Sequence, residues 1–519
     1  MRLPRIISVI AVVTVSHVAR AKPESTAVTK KSSAVVVRSG SGPRLEHTVP
    51  PQLAAGRAQL IEDILYDSDM RKKSTRASLV ALAARNRLEV TTRTAEDHPA
   101  ATPRRRLIVT DEAGLAAVIP SYDDTNTVVI DIGGDFTLSK ASLLWAQGAI
   151  GYGAAHQIEI IGCTDVTLNG GGNTLTAASG DEPGGFLIHN SAVTITSLTL
   201  SGFKSTDNGG GIQVYSTPML ASTVLLTGVT VSYCTSTSGG GGIWSTNSAV
   251  TMTTVAVDHG SAGESGGGIG IRGGNVVMTG VDITDNTAAG GGAFGGGGLY
   301  VDGATVSCTG CYIDSNSMTG KYSGGGIYAH RVYSSDPTYG HLTLVDTTVV
   351  SNTCANEGGG IGASELPITI TGGKVLLNSA VQGGGINVDS SVVLTISGHC
   401  PLYVNQAELG GALSMSGSNT KVTIDNSPMT YNFGSVASGG AVLVASGTLT
   451  VTNSHISGNY VAGPEFTVVT NSGSGTCTTA GGELLIMHSK PSFISPRAGS
   501  CSCWCKTCSV PFSQYTVGT

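Results

Sequence analysis

The sequence predicts an all-β chain, a parallel β-helix of roughly ten to twelve coils, with a short helix over its N-terminal end and partly disordered segments outside it. Three observations predict it. From Gly209 to Tyr460 a run of glycines followed by an apolar residue, a spacer and a second apolar residue returns as GGGIQV, GGGGIWS, GGGIGI, GGGGLYV, GGGIYA, GGGIGA and GGGINV, then more weakly as GGALSM and GGAVLV. The aliphatic residues after the glycines, Ile212, Ile243, Ile269, Leu299, Ile327, Ile361, Ile386, Leu413 and Val442, recur roughly every 28 residues, a repeat-array period. Asn286, Asn316, Asn352, Asn378, Asn405, Asn432 and Asn459 keep step with them, each closing an alternating run such as VDITDN or SHISGN. Within a unit the polarity alternates in three short stretches, as in GLYVDG, ATVSC and GCYIDSN.

Each stretch of alternation is a strand with one buried face. Three Val-, Ile- and Thr-rich strands per unit leave no room for a crossover helix, so successive units can pair only by stacking as a coil. The glycines suit corners where φ is positive and the next coil packs close. The asparagines suit inward turns, where amides stacked coil on coil form a ladder. A phosphate-cradling role for the glycines would need a helix start and a Lys-Ser/Thr ending, and neither follows the runs.

Taken in order, residues 1–21 carry Arg2 and Arg5, an apolar run from Ile6 to Val15 and Ala19-Arg20-Ala21, the layout of a secretory signal peptide. Export places the mature chain in an oxidising space; a secreted, extracellular or cell-surface location is expected. Residues 22–106 form a polar lead-in, with one or two amphipathic helices expected within Gln59–Leu88 and exposed basic pieces at MRKKSTR and PRRRL. The solenoid is expected over 107–462. Asp111 caps a short apolar helix that would cover the open edge of the first coil. The first coils, such as TVVIDIGGDFTL and VTLNGGGNTL, keep the alternation without the triple glycine, as solenoid ends do. Residues 463–519 form an irregular, Cys-rich tail with at most one decayed coil.

Composition narrows the functions. Aromatics make up 5% and charged residues 12% of 519 residues, with 73 glycines, so the core is built from small β-branched side chains. A net charge of -6 gives no reason to expect nucleic acid as a partner. No apolar stretch is long enough to span a bilayer as a helix.

The coupled signature, a GGA or GGG[IL] phrase with a strand-ending Asn, resembles the repeats of chlamydial-type polymorphic outer membrane proteins and the wider right-handed parallel β-helix, pectate-lyase-like superfamily. The LNGGGNTL segment is similar to the entry coil of that superfamily. The resemblance covers about 107–460 and implies a right-handed coil in a surface-exposed or secreted adhesion rod. Those outer membrane proteins end in a transmembrane barrel, and nothing after Tyr460 has the roughly 10-residue alternating strands a barrel needs. A free or otherwise anchored protein is therefore expected.

The function expected first is an exported structural or adhesive β-helix that binds glycans or surface proteins, with self-association a weaker option. The alternative is a polysaccharide lyase or glycoside hydrolase, which would require Ca²⁺ or Arg beside a base, or two carboxyl groups at a set separation. Asp282, Asp285 and Asp314 are its candidate catalytic residues, although they fall at shifting places in the repeat. The Asp123-Asp124 pair precedes the glycine repeats in a turn-like segment. His189 and His399 read as core or turn residues, and Arg272 and Arg331 follow glycine phrases with no matching base. No cofactor is expected otherwise. Cys501, Cys503, Cys505 and Cys508 are dense enough for a soft-metal site, but their C-x-C-x-C-x₂-C spacing is tighter than the usual zinc spacing, and disulfides are the simpler account. With 11 cysteines, at least one is unpaired or bridges chains. Cys308 and Cys311 would point to opposite faces unless Gly310 turns the chain. An enzyme would gather charged residues in one groove across adjacent coils; an adhesin would show a long polar face.

Overall fold

The structure, a computed structural model, describes residues 105–118, 128–139, 143–146, 156–178, 184–217, 220–291, 295–331, 340–435, 439–457 and 459–461, with strands at 467–471, 476–480, 493–496 and 502–503. All lie in the compact unit Ile61–Thr519; the other unit, Met1–Leu60, is outside the described residues. The expected signal peptide, nearly all of the lead-in, Asp123, Asp124, Cys501, Cys505 and Cys508 also fall outside them. Of Cys503 only its place in a two-residue strand is described.

The fold is a parallel β-helix with one short helix among the described residues. One coil runs through Thr223–Thr227, Thr230–Ser232, Thr235–Ser236 and Ile243–Thr246. Stacked coils turn these into a 15-stranded long face, a 12-stranded short face, a narrow strip and a 14-stranded face that follows the glycine runs, called the glycine face below. The repeat aliphatics form a single inward column: Ile212 pairs in register with Ile243, then Ile269, Leu299, Ile327, Ile361, Ile386, Leu413 and Val442. All are buried, each burial worth about 1.5–3 kcal/mol.

The asparagine ladder is continuous. Each ladder asparagine from Asn286 to Asn432 donates its backbone N–H and its Nδ2 to Oδ1 of the next, at 2.9–3.1 Å. A second Nδ2 bond reaches a carbonyl one coil back, for example from Asn352 to Ile313. Every amide is thereby satisfied in a dry interior, where an unmade bond would cost about 1–3 kcal/mol. The two sequence markers keep step because they touch: a Cβ at Gly298 would lie 2.8 Å from Cγ of Asn316, and one at Gly326 2.9 Å from Cγ of Asn352.

A second, shorter ladder was not visible in the sequence. At another corner, the backbone N–H of Cys163 donates to Ser191 Oγ and that of Ser191 to Ser222 Oγ. Farther along, Cys400 N–H donates to Ser427 Oγ and Ser427 N–H to Ser454 Oγ. Small hydroxyls scattered through a Ser- and Thr-rich chain give no distinct signal.

At the N-terminal end Arg105–Val109 adds a parallel edge strand to Val128–Ile132, and the helix Glu112–Val118 follows it. Asp111 caps it, its Oδ1 accepting from Gly114 N–H at 2.6 Å. Leu115 is buried in the main core, and Glu112 accepts from the Ser139 hydroxyl at 2.8 Å. Gly310, at φ +63°, turns the chain so that Cys308 and Cys311 both face inward and form a disulfide. Cys163, Cys234, Cys354 and Cys400 are buried; burial pushes Cys234 and Cys400 up to about 12 and Cys354 up to about 11. Thiols held protonated in this way are poor nucleophiles.

Candidate functional site

The outward residues of the glycine face form two adjacent columns. In the first, Trp244, Gly270, Tyr300, Tyr328, Gly362, Asn387 and Ser414 follow one another in register. In the second, Thr246 is followed by Arg272, Asp302, His330, Ser364 and Asp389. A third line of residues just before the glycine runs borders the face: Ser323, Glu357, Gln382 and Leu409 bridge one another in parallel.

The first column is an aromatic stack. The Trp244 and Tyr300 rings are 6.3 Å apart and 15° from parallel, and Tyr300 and Tyr328 follow at 6.2 Å and 25°. Tyr328 in turn stacks on His330 at 5.5 Å. Gly270 makes room for this, since the six-membered ring of Trp244 occupies the space its side chain would need. The Arg272 guanidinium sits 5.5 Å from the Trp244 ring centroid, a cation–π arrangement, and its Nε is 3.4 Å from Asp302 Oδ2. Asp302 is 1% exposed, and a carboxylate so deeply placed is retained only with such a partner. The guanidinium therefore has an acid one coil along, thirty residues away.

Toward the C-terminal coils the site opens into half-buried acids and a base. Glu357 Oε2 accepts from Asn387 Nδ2 at 3.1 Å and from Ser323 Oγ at 3.4 Å. Burial, reinforced by Asp389, raises the Glu357 carboxyl above the ordinary glutamate value despite the Ser323 bond. Burial lowers His330 below the ordinary histidine value, against the opposing pull of Asp302, Glu365 and Asp389. Burial, with those acids, raises the Tyr328 hydroxyl. Among the described residues, His330 Nδ1 and Asp389 Oδ1 are buried atoms with no hydrogen-bond partner. A carboxyl with raised proton affinity, a second carboxyl, an imidazole with lowered proton affinity and a flanking ring are components of acid–base chemistry on a ring-shaped substrate.

The sequence candidates lie elsewhere. Asp282 projects from the short face in register with Ala256 and Tyr312. Asp314 is in the neighbouring column of that face, between Thr284 and Val350, buried and accepting from Ser315 Oγ at 3.0 Å. Asp285 is an exposed corner residue at φ +57°, immediately before its ladder asparagine. His189 is buried and His399 is an exposed corner residue at φ +63°. Sequence reasoning missed Tyr300, Asp302, Tyr328, His330, Glu357 and Asp389. The available signal was the outward position two or four residues after each glycine run, which varies from coil to coil while the positions beside it repeat. Among the described residues no group of three or more His, Cys, Asp or Glu side chains is disposed to hold a metal ion, and no helix is long and apolar enough to cross a membrane.

No protein-family model matches the chain, and no curated protein matches it. Among solved structures it is similar to the A-module of a mannuronan C-5 epimerase from Azotobacter vinelandii, at 15% identity and a TM-score of 0.43, over 72% of this chain and 96% of that one.

Proposed function

We propose that the glycine face is a glycan-processing groove, with Glu357 as proton donor and Asp389 as base or nucleophile. The observation that carries this is the meeting, across adjacent coils, of the half-buried Tyr328 ring with the Glu357 carboxyl, raised by burial and by the neighbouring Asp389. Sugar rings stack on flat aromatic faces, and a pair of carboxyl groups is the machinery of glycoside cleavage. Asp302, Glu357, Glu365 and Asp389 outnumber Arg272, so a neutral glycan suits the groove; an acidic one would have to bring a counter-ion such as Ca²⁺. An activity outside the cell is the reading that fits the export expected from residues 1–21.

The test is release of reducing ends or unsaturated uronates from a panel of neutral and acidic polysaccharides, with and without Ca²⁺. Turnover of a neutral glycan is expected, reduced by about 10²-fold or more in Glu357→Gln and Asp389→Asn. Turnover that survives both substitutions would remove the groove from the mechanism. A second reading, adhesion, is favoured by the sealed half of the groove, where Tyr300 and Asp302 are fully buried. It predicts glycan binding without turnover, undiminished in Glu357→Gln and weakened in Tyr328→Ala.

A further inference from the structure

The groove is open over only part of its length. On the N-terminal side both outward columns are shut: Trp244, Thr246, Tyr300 and Asp302 are all buried, although their strands present them outward. Tyr300 is held between the rings of Trp244 and Tyr328. Asp302 lies against Arg272, which itself sits over the Trp244 ring. Parting these groups would leave a buried carboxylate without its cation, so they form a fixed wall. On the other side the first column closes again. Asn387 and Ser414 are 3% and 0% exposed, and border side chains lean over them: Asn387 Nδ2 donates to Glu357 Oε2 at 3.1 Å, and Gln382 Nε2 donates to Ser414 Oγ at 2.9 Å.

Between these walls Tyr328, His330, Ser364 and Asp389 are half-buried, while Glu365 and Ser390, at the turns leading to the long face, are exposed. The opening therefore faces that corner. It spans the coils from Tyr328 to Asp389, two strand spacings or about 10 Å along the rod, which is room for a short saccharide and not for a long chain laid across the coils. At its two ends His330 Nδ1 and Asp389 Oδ1 are buried atoms that make no hydrogen bond to a described residue, with Ser364 between them in the column. Buried polar atoms are rarely left unpaired, and a ligand that supplies the missing bonds accounts for both. An imidazole nitrogen can donate or accept and a carboxylate oxygen accepts, so hydroxyl groups on a ring lying against Tyr328 satisfy the pair. An anionic ring would be opposed by Glu357, Glu365 and Asp389.

We propose that this opening is a pocket for the end of a neutral glycan chain, with the terminal sugar against Tyr328 and His330, its link to the next unit at Glu357 and Asp389, and the rest of the chain leaving over Glu365 and Ser390. The substrate is inferred from the shape of the opening; the reaction rests on the glycan-processing reading above. In direct hydrolysis the bond between the terminal sugar and the next unit breaks. The oxygen of water goes to the anomeric carbon and one of its protons to Asp389, while the Glu357 proton goes to the departing oxygen. The chain is thus shortened from its end.

The experiment follows viscosity and reducing ends together as the purified full chain acts on a soluble β-glucan and a galactomannan, sizes the products, and measures binding of the matching disaccharides and hexasaccharides to Glu357→Gln. Reducing ends should rise while viscosity holds, with products one or two sugars long, and disaccharide should bind as tightly as hexasaccharide. His330→Phe, which keeps a ring beside Tyr328 and removes the nitrogens, should weaken disaccharide binding about 10-fold, with His330→Gln restoring part of it. An early fall in viscosity with few ends released overturns the chain-end pocket and leaves the glycan-processing reading standing. No turnover, with disaccharide still bound as tightly as hexasaccharide, overturns that reading and supports the pocket. Hexasaccharide bound while disaccharide is ignored, or neither bound, overturns the pocket.

Discussion

The interior ladder and the glycine-face groove are built on the same coils and follow opposite rules. In the ladder one residue type recurs in one bonding pattern through six links, each amide finding the next. In the groove, coils in perfect register present Trp, Gly, Tyr, Tyr, Gly and Asn in one column. Repetition is what a coil needs to stack on its neighbour; departure from repetition inside a fixed register marks positions released from that demand. In a solenoid, function is therefore sought in the columns that vary.

The largest effect that separates the two regions is expected from Asn352→Ala. The change leaves the Asn316 backbone N–H without its acceptor and the Asn316 Nδ2 with the Ile283 carbonyl alone, and it removes the Nδ2 donor from the Ile313 carbonyl and from Asn378 Oδ1, which keeps the backbone N–H of residue 352. At about 1–3 kcal/mol for each group left unmade, and with a void added, the loss should be about 3–5 kcal/mol. Because each coil is held mainly by its neighbours, denaturant unfolding should also become less cooperative. Tyr328→Ala, in the groove, should cost far less stability. Equal losses for the two variants would erase the distinction.

What could be read from the sequence follows the same division. The glycine phrase and its asparagine were legible because identical residues mark them at every coil. The groove was not, because its partners are set by coil length, and the ladder steps vary between 26 and 36 residues. Arg272 and Asp302 meet only once Gly270 is aligned with Tyr300; no local spacing announces it. Asp282, Asp285 and Asp314 stand out in the sequence as carboxylates on neighbouring coils, and the register places them on the short face and its corner rather than in the groove. The helix cap at Asp111 was legible because its signal is local.

A smaller effect should come from pH, because ladder amides do not titrate and the groove does. Glu357 has a raised carboxyl in the folded chain, so the native state holds a proton that the unfolded state releases; stability should fall as pH rises above the ordinary glutamate value near 4.5. His330 is shifted down, so the unfolded state takes the proton first, and stability should fall as pH drops below 6.5. Melting curves across pH should show the first slope reduced in Glu357→Gln and the second in His330→Gln. Glu159, His189 and His341 are shifted in the same directions, so the differences between wild type and variant carry the test. Superimposable pH profiles for wild type and Glu357→Gln would mean that this carboxyl is as well solvated folded as unfolded.

The smallest effect tests whether the ladder's own corners carry strain. The residues before the ladder asparagines from Asn286 to Asn432 are left-handed: Asp285, Ser315, Ser351, Leu377, Val404 and Tyr431 lie between φ +56° and +57°. That conformation costs an ordinary L-residue about 1 kcal/mol or more, whereas asparagine enters it readily. Ser351, half-buried with the left-handed turn already set, offers a substitution with little packing to lose. Ser351→Asn should therefore stabilise the chain by about 0.5 kcal/mol, read as a small rise in denaturation midpoint with an unchanged slope. A drop of similar size would mean that the ladder's hydrogen bonds hold the corner so firmly that residue preference there no longer matters, and that crowding by the larger amide decides the outcome.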